Sequence, residues 1–179
     1  MRVTYRYVRP RPALYVRAYG PYAQSAAEAW AAMNGWLDEC QARAKCRSGY
    51  GIYRDDPATT PAELRRYDAC IPLIPELDHD APEQIGRQVL PGGAYAFCTH
   101  VGSYHAIGDM FSQMRRSMVA ARGLKVDGHR PFLAIYLNDP LVTREAHLRT
   151  DICVPVVPIQ VPLATNDIGD AQAFSARTA

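Results

Sequence analysis

Residues 50–73, YGIYRDDPATTPAELRRYDACIPL, align without a gap on residues 133–156, LAIYLNDPLVTREAHLRTDICVPV. Tyr53, Asp56, Pro57, Thr60, Asp68, Cys70 and Pro72 recur as Tyr136, Asp139, Pro140, Thr143, Asp151, Cys153 and Pro155, each displaced by 83 positions (136 minus 53). Seven identities at one offset predict an internal duplication. Two copies of a small unit facing one another predict a central cleft, the kind of place in which ligands sit.

Working outward, Gly20-Pro21-Tyr22 answers Gly102-Ser103-Tyr104, and each follows an alternating stretch, Ala13–Ala18 or Ala94–Thr99, that reads as a strand. Each Gly-x-Tyr then opens a helix. Ala26, Trp30, Met33, Leu37, Cys40 and Ala44 keep 3.6-residue spacing in the first, and Ile107, Phe111, Met114, Met118 and Ala121 in the second. A strand ending at Tyr53-Arg54 or Tyr136-Leu137 comes next, then a turn at Asp-Asp-Pro or Asn-Asp-Pro, where proline pushes its predecessor out of the helical region. Thr60-Pro61-Ala62-Glu63 has capping-box spacing and predicts a short helical turn. Alternation of Ile152, Val154 and Val156 with Asp151, Cys153 and Pro155 marks the last strand.

Each half therefore reads strand, helix, strand, strand, with Arg2–Val8 and Ile85–Leu90 as possible further strands ahead of each. The fold class is α+β, an antiparallel sheet with two helices on one face and a central cleft between modules related by pseudo-twofold symmetry. Residues 1–162 form one domain, with module one over about 3–75, a proline- and acid-rich linker over 74–91, module two over about 85–157, and a C-terminal tail over 163–179. The stretch Lys125–Gly128 reads as a polar connection after the second helix.

Composition narrows the function classes. With 48% hydrophobic residues among 179, a packed core is within reach. The 20 basic and 18 acidic side chains leave a net charge of +2, and the basic ones are scattered, which argues against a nucleic-acid stripe. No apolar run approaches the roughly 18 residues of a membrane span, and MRVTYRYVRPRP lacks the apolar core of a signal peptide. A cytoplasmic location is expected. The five cysteines, Cys40, Cys46, Cys70, Cys98 and Cys153, are odd in number, show no CxxC pair and read as reduced thiols. No metal or cofactor signature is present, and no GxSxG, P-loop or GxGxxG.

Candidate contact residues follow from the duplication. Trp30 and Phe111, and Met33 and Met114, hold equivalent helix positions; they read either as core or as walls of the cleft. Met110, Met114 and Met118 could form a soft, polarizable wall. Trp36 lies at the edge of its stripe, where a large aromatic suits a pocket. Tyr53 and Tyr136 end paired strands and present hydroxyls to the cleft or pack at the rim. Tyr22 and Tyr104 read as anchors of the helix starts, Asp68 and Asp151 as hydrogen-bonding ties, and Asp56 and Asp139 as turn residues. Cys70 and Cys153 could approach each other or lie on the pocket floor, and His100 and His105 lack a third ligand for a metal.

The blocks GPY before a helix, GIYRDDPATTPAELRRYDACIPL, PGGAYAFCTHVGSY, YLNDP and LRTDICVPV together resemble the GyrI-like small-molecule-binding domain, found also as the effector-binding half of AraC-type multidrug-responsive regulators. The resemblance spans roughly residues 3–157. It implies two modules around a cleft that takes bulky, apolar and often cationic compounds. Members of that family serve as ligand sensors in transcription regulators, as free-standing binders of drugs or toxins, as an inhibitor of DNA gyrase, and as hydrolases of cyclopropane-bearing toxins. Two departures bear on the choice. The sequence leaves no room for a helix-turn-helix, so direct DNA binding is not expected. Ala134 stands where many relatives carry a glutamate, which argues against strong selection for cations and against hydrolysis. The expectation is a stand-alone cytoplasmic binder of bulky hydrophobic or aromatic molecules, without cofactor, its ligand contacted by Trp30, Met33, Trp36, Tyr53, Phe111, Met114, Met118 and Tyr136. The alternatives are a hydrolase of electrophilic toxins and a protein inhibitor of gyrase; a protein partner is left open.

Overall fold

In the strand Arg66–Pro72 (β4), Tyr67, Ala69 and Ile71 point one way and Asp68 and Cys70 the other, yet all five are buried. Both faces of the sheet are therefore covered. The computed structural model describes residues 2–46, 48–78, 81–118 and 123–159, with the side chains of Asp78 and Met118 outside that description. The tail expected over 163–179 and Ala121 lie outside the described residues.

The other strands are Thr4–Val8 (β1), Arg11–Tyr19 (β2), Gly49–Tyr53 (β3), Gly86–Leu90 (β5), Gly93–Val101 (β6), Leu124–Val126 (β7), Phe132–Tyr136 (β8) and Arg149–Pro158 (β9). Eight of them hydrogen-bond in the order β1-β6-β9-β8-β3-β4-β2-β5, and β7 pairs with the end of β9. Every pairing among the described residues is antiparallel. Helices Tyr22–Glu39 (α1) and Ile107–Met118 (α3) cover one face, α1 over Leu14, Val16, Tyr67, Ala69 and Ile71, and α3 over Ala96, Cys98, Ile152 and Val154. The opposite face packs Ala13, Tyr50, Ile52, Cys70, Tyr95, Phe97, Leu133 and Cys153 against one another with no helix among them. A sheet that buries a face against itself must curl, as a twisted array of eight strands does. The sheet is accordingly a half-barrel.

Several boundaries differ from the sequence reading for physical reasons. The 3.6-residue spacing continues to Ala44, but α1 ends at Glu39 and Cys40 is exposed. Gln41 takes φ 52°, its N–H bonds the Asp38 carbonyl, and the Ala42 N–H bonds the Leu37 carbonyl at 2.8 Å. This is a Schellman stop, with Ala42 and Leu37 both buried beneath it. The capping-box spacing at Thr60 yields a 3-10 turn, Ala62–Leu64, without a side-chain cap, because Pro61 holds the N-cap position. The polar stretch after α3 forms β7, and a short helix, Pro75–Asp78 (α2), opens the linker. Among the described residues no helix is long and apolar enough to cross a membrane.

Candidate functional site

Helix α1 has two working faces. Ser25, Ala29, Met33, Trp36 and Leu37 are buried, Met33, Trp36 and Leu37 in the core beneath α1, while Ala23, Ala26, Ala27, Trp30 and Asn34 turn toward α3. Facing them, α3 presents Gly108, Phe111, Ser112 and Arg115. The opposed edges are mostly alanine, glycine and serine, too short to meet, so a cavity of about 730 Å³ stays open between the helices above the sheet. Its floor includes Tyr53, Phe132 and Tyr136. Between these residues Gly51 pairs with Ala134 across β3 and β8. A Cβ on Gly51 would lie 2.3 Å from the Tyr67 hydroxyl and 3.0 Å from that of Tyr136, so the absence of a side chain makes room for the phenols.

Aromatic rings surround this space, meeting edge to face except for Phe111 and Phe132, which are tilted. Trp30 meets Tyr136 at 5.4 Å between centroids, Tyr53 meets Phe111 at 4.9 Å and Tyr22 at 4.9 Å, Tyr104 meets Tyr136 at 5.1 Å, and Phe111 meets Phe132 at 5.2 Å. Such pairs hold one another in place beyond their burial. Beneath them Trp30 Nε1 donates to Tyr67 Oη at 2.9 Å, and the Tyr67 and Tyr136 hydroxyls share a bond of 2.9 Å. The indole of Trp30 is thereby fixed with its ring toward the cavity.

Burial raises the phenols of Tyr53 and Tyr67 well above the ordinary tyrosine value, and raises Tyr136 against the opposing hydrogen bonds from Tyr67, Tyr53 and Trp30. A raised folded-state value stabilises the protein fully below the unfolded value near 10 and loses that contribution as pH climbs further. Stability is therefore expected to fall above about pH 10, with the tyrosinate absorbance of these three groups appearing only together with unfolding. Spectrophotometric titration alongside circular dichroism checks this; ionisation of all tyrosines before any loss of structure would contradict it.

Charge is confined to the rim and is largely paired. Arg115 Nη1 bonds Asp56 Oδ1 at 2.8 Å and ties α3 to the turn after β3. Arg66 bonds Asp55 at 2.6 Å, and Arg130 bonds Asp127 at 2.6 Å. These guanidiniums hold the three carboxyls below their usual range. Asp139, also on the rim, accepts a bond from the Leu141 N–H and has no ion pair among the described residues.

Of the residues expected to contact ligand, Trp30, Tyr53, Phe111 and Tyr136 come together around the cavity. Met33, Trp36 and Met114 are buried in the core and do not line it, nor does Met110. The side chain of Met118 lies outside the described residues. Sequence spacing merged the two faces of α1 into one stripe, which placed Trp36 at an edge when it is central to the buried face. Phe132 was missed, although it alternates with Ala134 and Tyr136 on one strand face. Tyr22 anchors its helix, donating to the Asp55 carbonyl at 2.6 Å and accepting from the Asp55 N–H at 2.9 Å, and lines the cavity as well. Cys70 and Cys153 belong to the helix-free face of the sheet, where burial pushes both thiols up. Among the described residues no group of three or more His, Cys, Asp or Glu side chains could hold a metal.

A half-barrel sheet, two helices and an aromatic cavity between them define a small-molecule-binding domain. The chain belongs to the GyrI-like family: the profile of the GyrI-like small molecule binding domain matches residues 1–157. It is 34% identical over 107 residues to the probable transcriptional regulator YgiV of Escherichia coli K12, an alignment covering 60% of this chain and 66% of that one. Thus it spans just under two thirds of the length of that relative. Among solved structures it resembles the EcmrR C-terminal domain, with a TM-score of 0.65 at 14% identity over 88% of this chain and 98% of the other. It also resembles SAV2435 bound to tetraphenylphosphonium, with a TM-score of 0.60 at 11% identity over 88% and 94%.

Proposed function

We propose that this domain binds bulky, largely apolar aromatic molecules in the cavity between α1 and α3, as the ligand-sensing or drug-sequestering part of a cytoplasmic system. The observation that carries the reading is the open cavity of about 730 Å³ walled by Trp30, Tyr53, Phe111, Phe132 and Tyr136. That volume falls within the usual range for small-molecule sites. The tetraphenylphosphonium held by SAV2435 points to the same class of bulky aromatic compound. Ala134, buried opposite Gly51, brings no carboxylate beneath the cavity, and on that ground neutral aromatics are expected to be favoured over cations.

The proposal includes a single domain over residues 1–162, built from two modules about a pseudo-twofold axis between β3 and β8. Strand order supports it: exchanging β1 with β5, β2 with β6, β3 with β8 and β4 with β9 reverses the order and leaves it otherwise the same. So do the repeated turns, in which Asp56 accepts from the Ala58 N–H and Asp139 from the Leu141 N–H, both at 2.9 Å.

Titration with a neutral polycyclic aromatic such as pyrene, and with tetraphenylphosphonium, tests the reading by thermal shift and tryptophan fluorescence. Pyrene is expected to raise Tm and quench emission more than tetraphenylphosphonium does. Trp30→Phe should remove the quenching and Trp36→Phe should leave it, since only Trp30 borders the cavity. Absence of any shift or quenching by either compound would overturn the proposal.

A further inference from the structure

Tyr22 and Tyr104 hold matching places ahead of α1 and α3, but their hydroxyls have different fates. Tyr22 Oη is doubly bonded to the backbone of Asp55. The residue matching Asp55 is Asn138, 83 positions on (138 minus 55); its side chain accepts from the Arg149 N–H as that of Asp55 accepts from the Arg66 N–H, but its backbone makes no bond to Tyr104. Tyr104 Oη is left buried with no hydrogen-bond partner, in a residue that lines the cavity. Leaving such a group unpaired is costly, a penalty that the right partner removes.

We propose that Tyr104 is the polar anchor of the cavity, donating its hydroxyl proton to a carbonyl or hydroxyl oxygen on an otherwise aromatic ligand. The inference rests on the function proposed above and narrows it to aromatic compounds that carry an oxygen acceptor. Several features fit the group to donate to a ligand oxygen. Burial first, then the charges of Tyr136 and Asp139, push the Tyr104 phenol up to about 12, so it keeps its proton at neutral pH. The edge-to-face packing of its ring on Tyr136 holds the hydroxyl in one place. Rings, alanines, glycines and aliphatic side chains make up much of the wall, against which a ligand's apolar body can lie, and the arginines that line it, Arg43, Arg54, Arg115 and Arg130, are already engaged by Asp38, Asp68, Asp56 and Asp127.

Fluorenone and fluorene, the same tricycle with and without a carbonyl acceptor, provide the test, with affinities measured by equilibrium dialysis on the full chain and on Tyr104→Phe. The ratio of fluorenone to fluorene affinity is expected to fall about 3- to 10-fold in the variant, the worth of one neutral hydrogen bond, while fluorene binding stays the same. Tyr104→Phe should fold at least as stably as the parent, because the lost hydroxyl makes no bond there. An unchanged ratio with both compounds bound would overturn this inference and leave the proposed function standing. Failure of the unmodified protein to bind either compound would overturn both.

Discussion

Replacing Asp68 with alanine is expected to destabilise the protein by about 3–5 kcal/mol, the range for removing one partner of a buried ion pair. Asp68 is fully buried on the helix-free face of β4 and accepts from Arg17 Nε at 2.6 Å, Arg17 Nη2 at 3.0 Å, Gln88 Nε2 at 3.2 Å and Arg54 Nε. The carboxylate holds the Arg17 guanidinium more firmly protonated than usual. Without it, two guanidiniums remain side by side with no counter-charge. The matching Asp151 makes a sharp comparison, because its partners are the Thr99 hydroxyl at 2.6 Å and a more distant Arg6 at 3.7 Å. Asp151→Ala should cost about 1–3 kcal/mol, the range for one lost buried hydrogen bond. Urea unfolding of both variants measures the difference, and equal losses would show that charge compensation is not what Asp68 supplies.

The second large effect concerns binding. Gly108→Trp is expected to weaken aromatic ligands at least about tenfold while leaving the fold intact, since forcing bulk into an occupied space costs roughly 1–3 kcal/mol. Gly108 lines the cavity in the first turn of α3, and a Cβ built there meets nothing within 4 Å. The added side chain has open space to enter, and it is the space a ligand would use. Losing a helical glycine should also favour α3, by up to about 0.5 kcal/mol, since the helix propensity of tryptophan lies between those of glycine and alanine. Gly35→Trp is the control: that glycine too has nothing within 4 Å, but it does not line the cavity, so pyrene binding should persist. Equal loss of binding in both variants would mean that ligands do not occupy the interhelical cavity.

Much of the architecture could be read from residues. The repeat at a fixed offset located both helices and the strands on either side of them, because turn chemistry at Asp-Pro and two-residue alternation are local signals. The family assignment rested on those same blocks. What the sequence could not convey was set by contacts between distant segments. A helical wheel cannot distinguish a face that meets a sheet from one that meets a gap, and so the spacing puts Trp36 at the cavity beside Trp30 although it packs in the core. The bonds of Tyr67 to Trp30 and Tyr136 emerge only once α1, β4 and β8 are brought together. The arginine pairs on the rim follow from no spacing rule, since Arg115 and Asp56 are 59 positions apart. Strand β7 is only three residues long, too short for alternation to mark it, and exists because β9 is long enough to offer it an edge at Val156–Pro158.

The two outer strands carry a consequence for how the chain assembles. Thr4 on β1 pairs with Phe97 on β6, 93 residues later (97 minus 4), and β5 returns to pair with β2. Each half of the chain thus completes the sheet of the other. Loops of that span must close before their contacts can form, which makes folding slow and concentrates it into one late, cooperative step. An emerging chain holding residues 4–72 would have β2 without β5 and β1 without β6, exposing strand edges until the second half is made. Separately produced halves would be sticky fragments seeking each other, and the first half keeps an unpaired edge at β3 until β8 has been made.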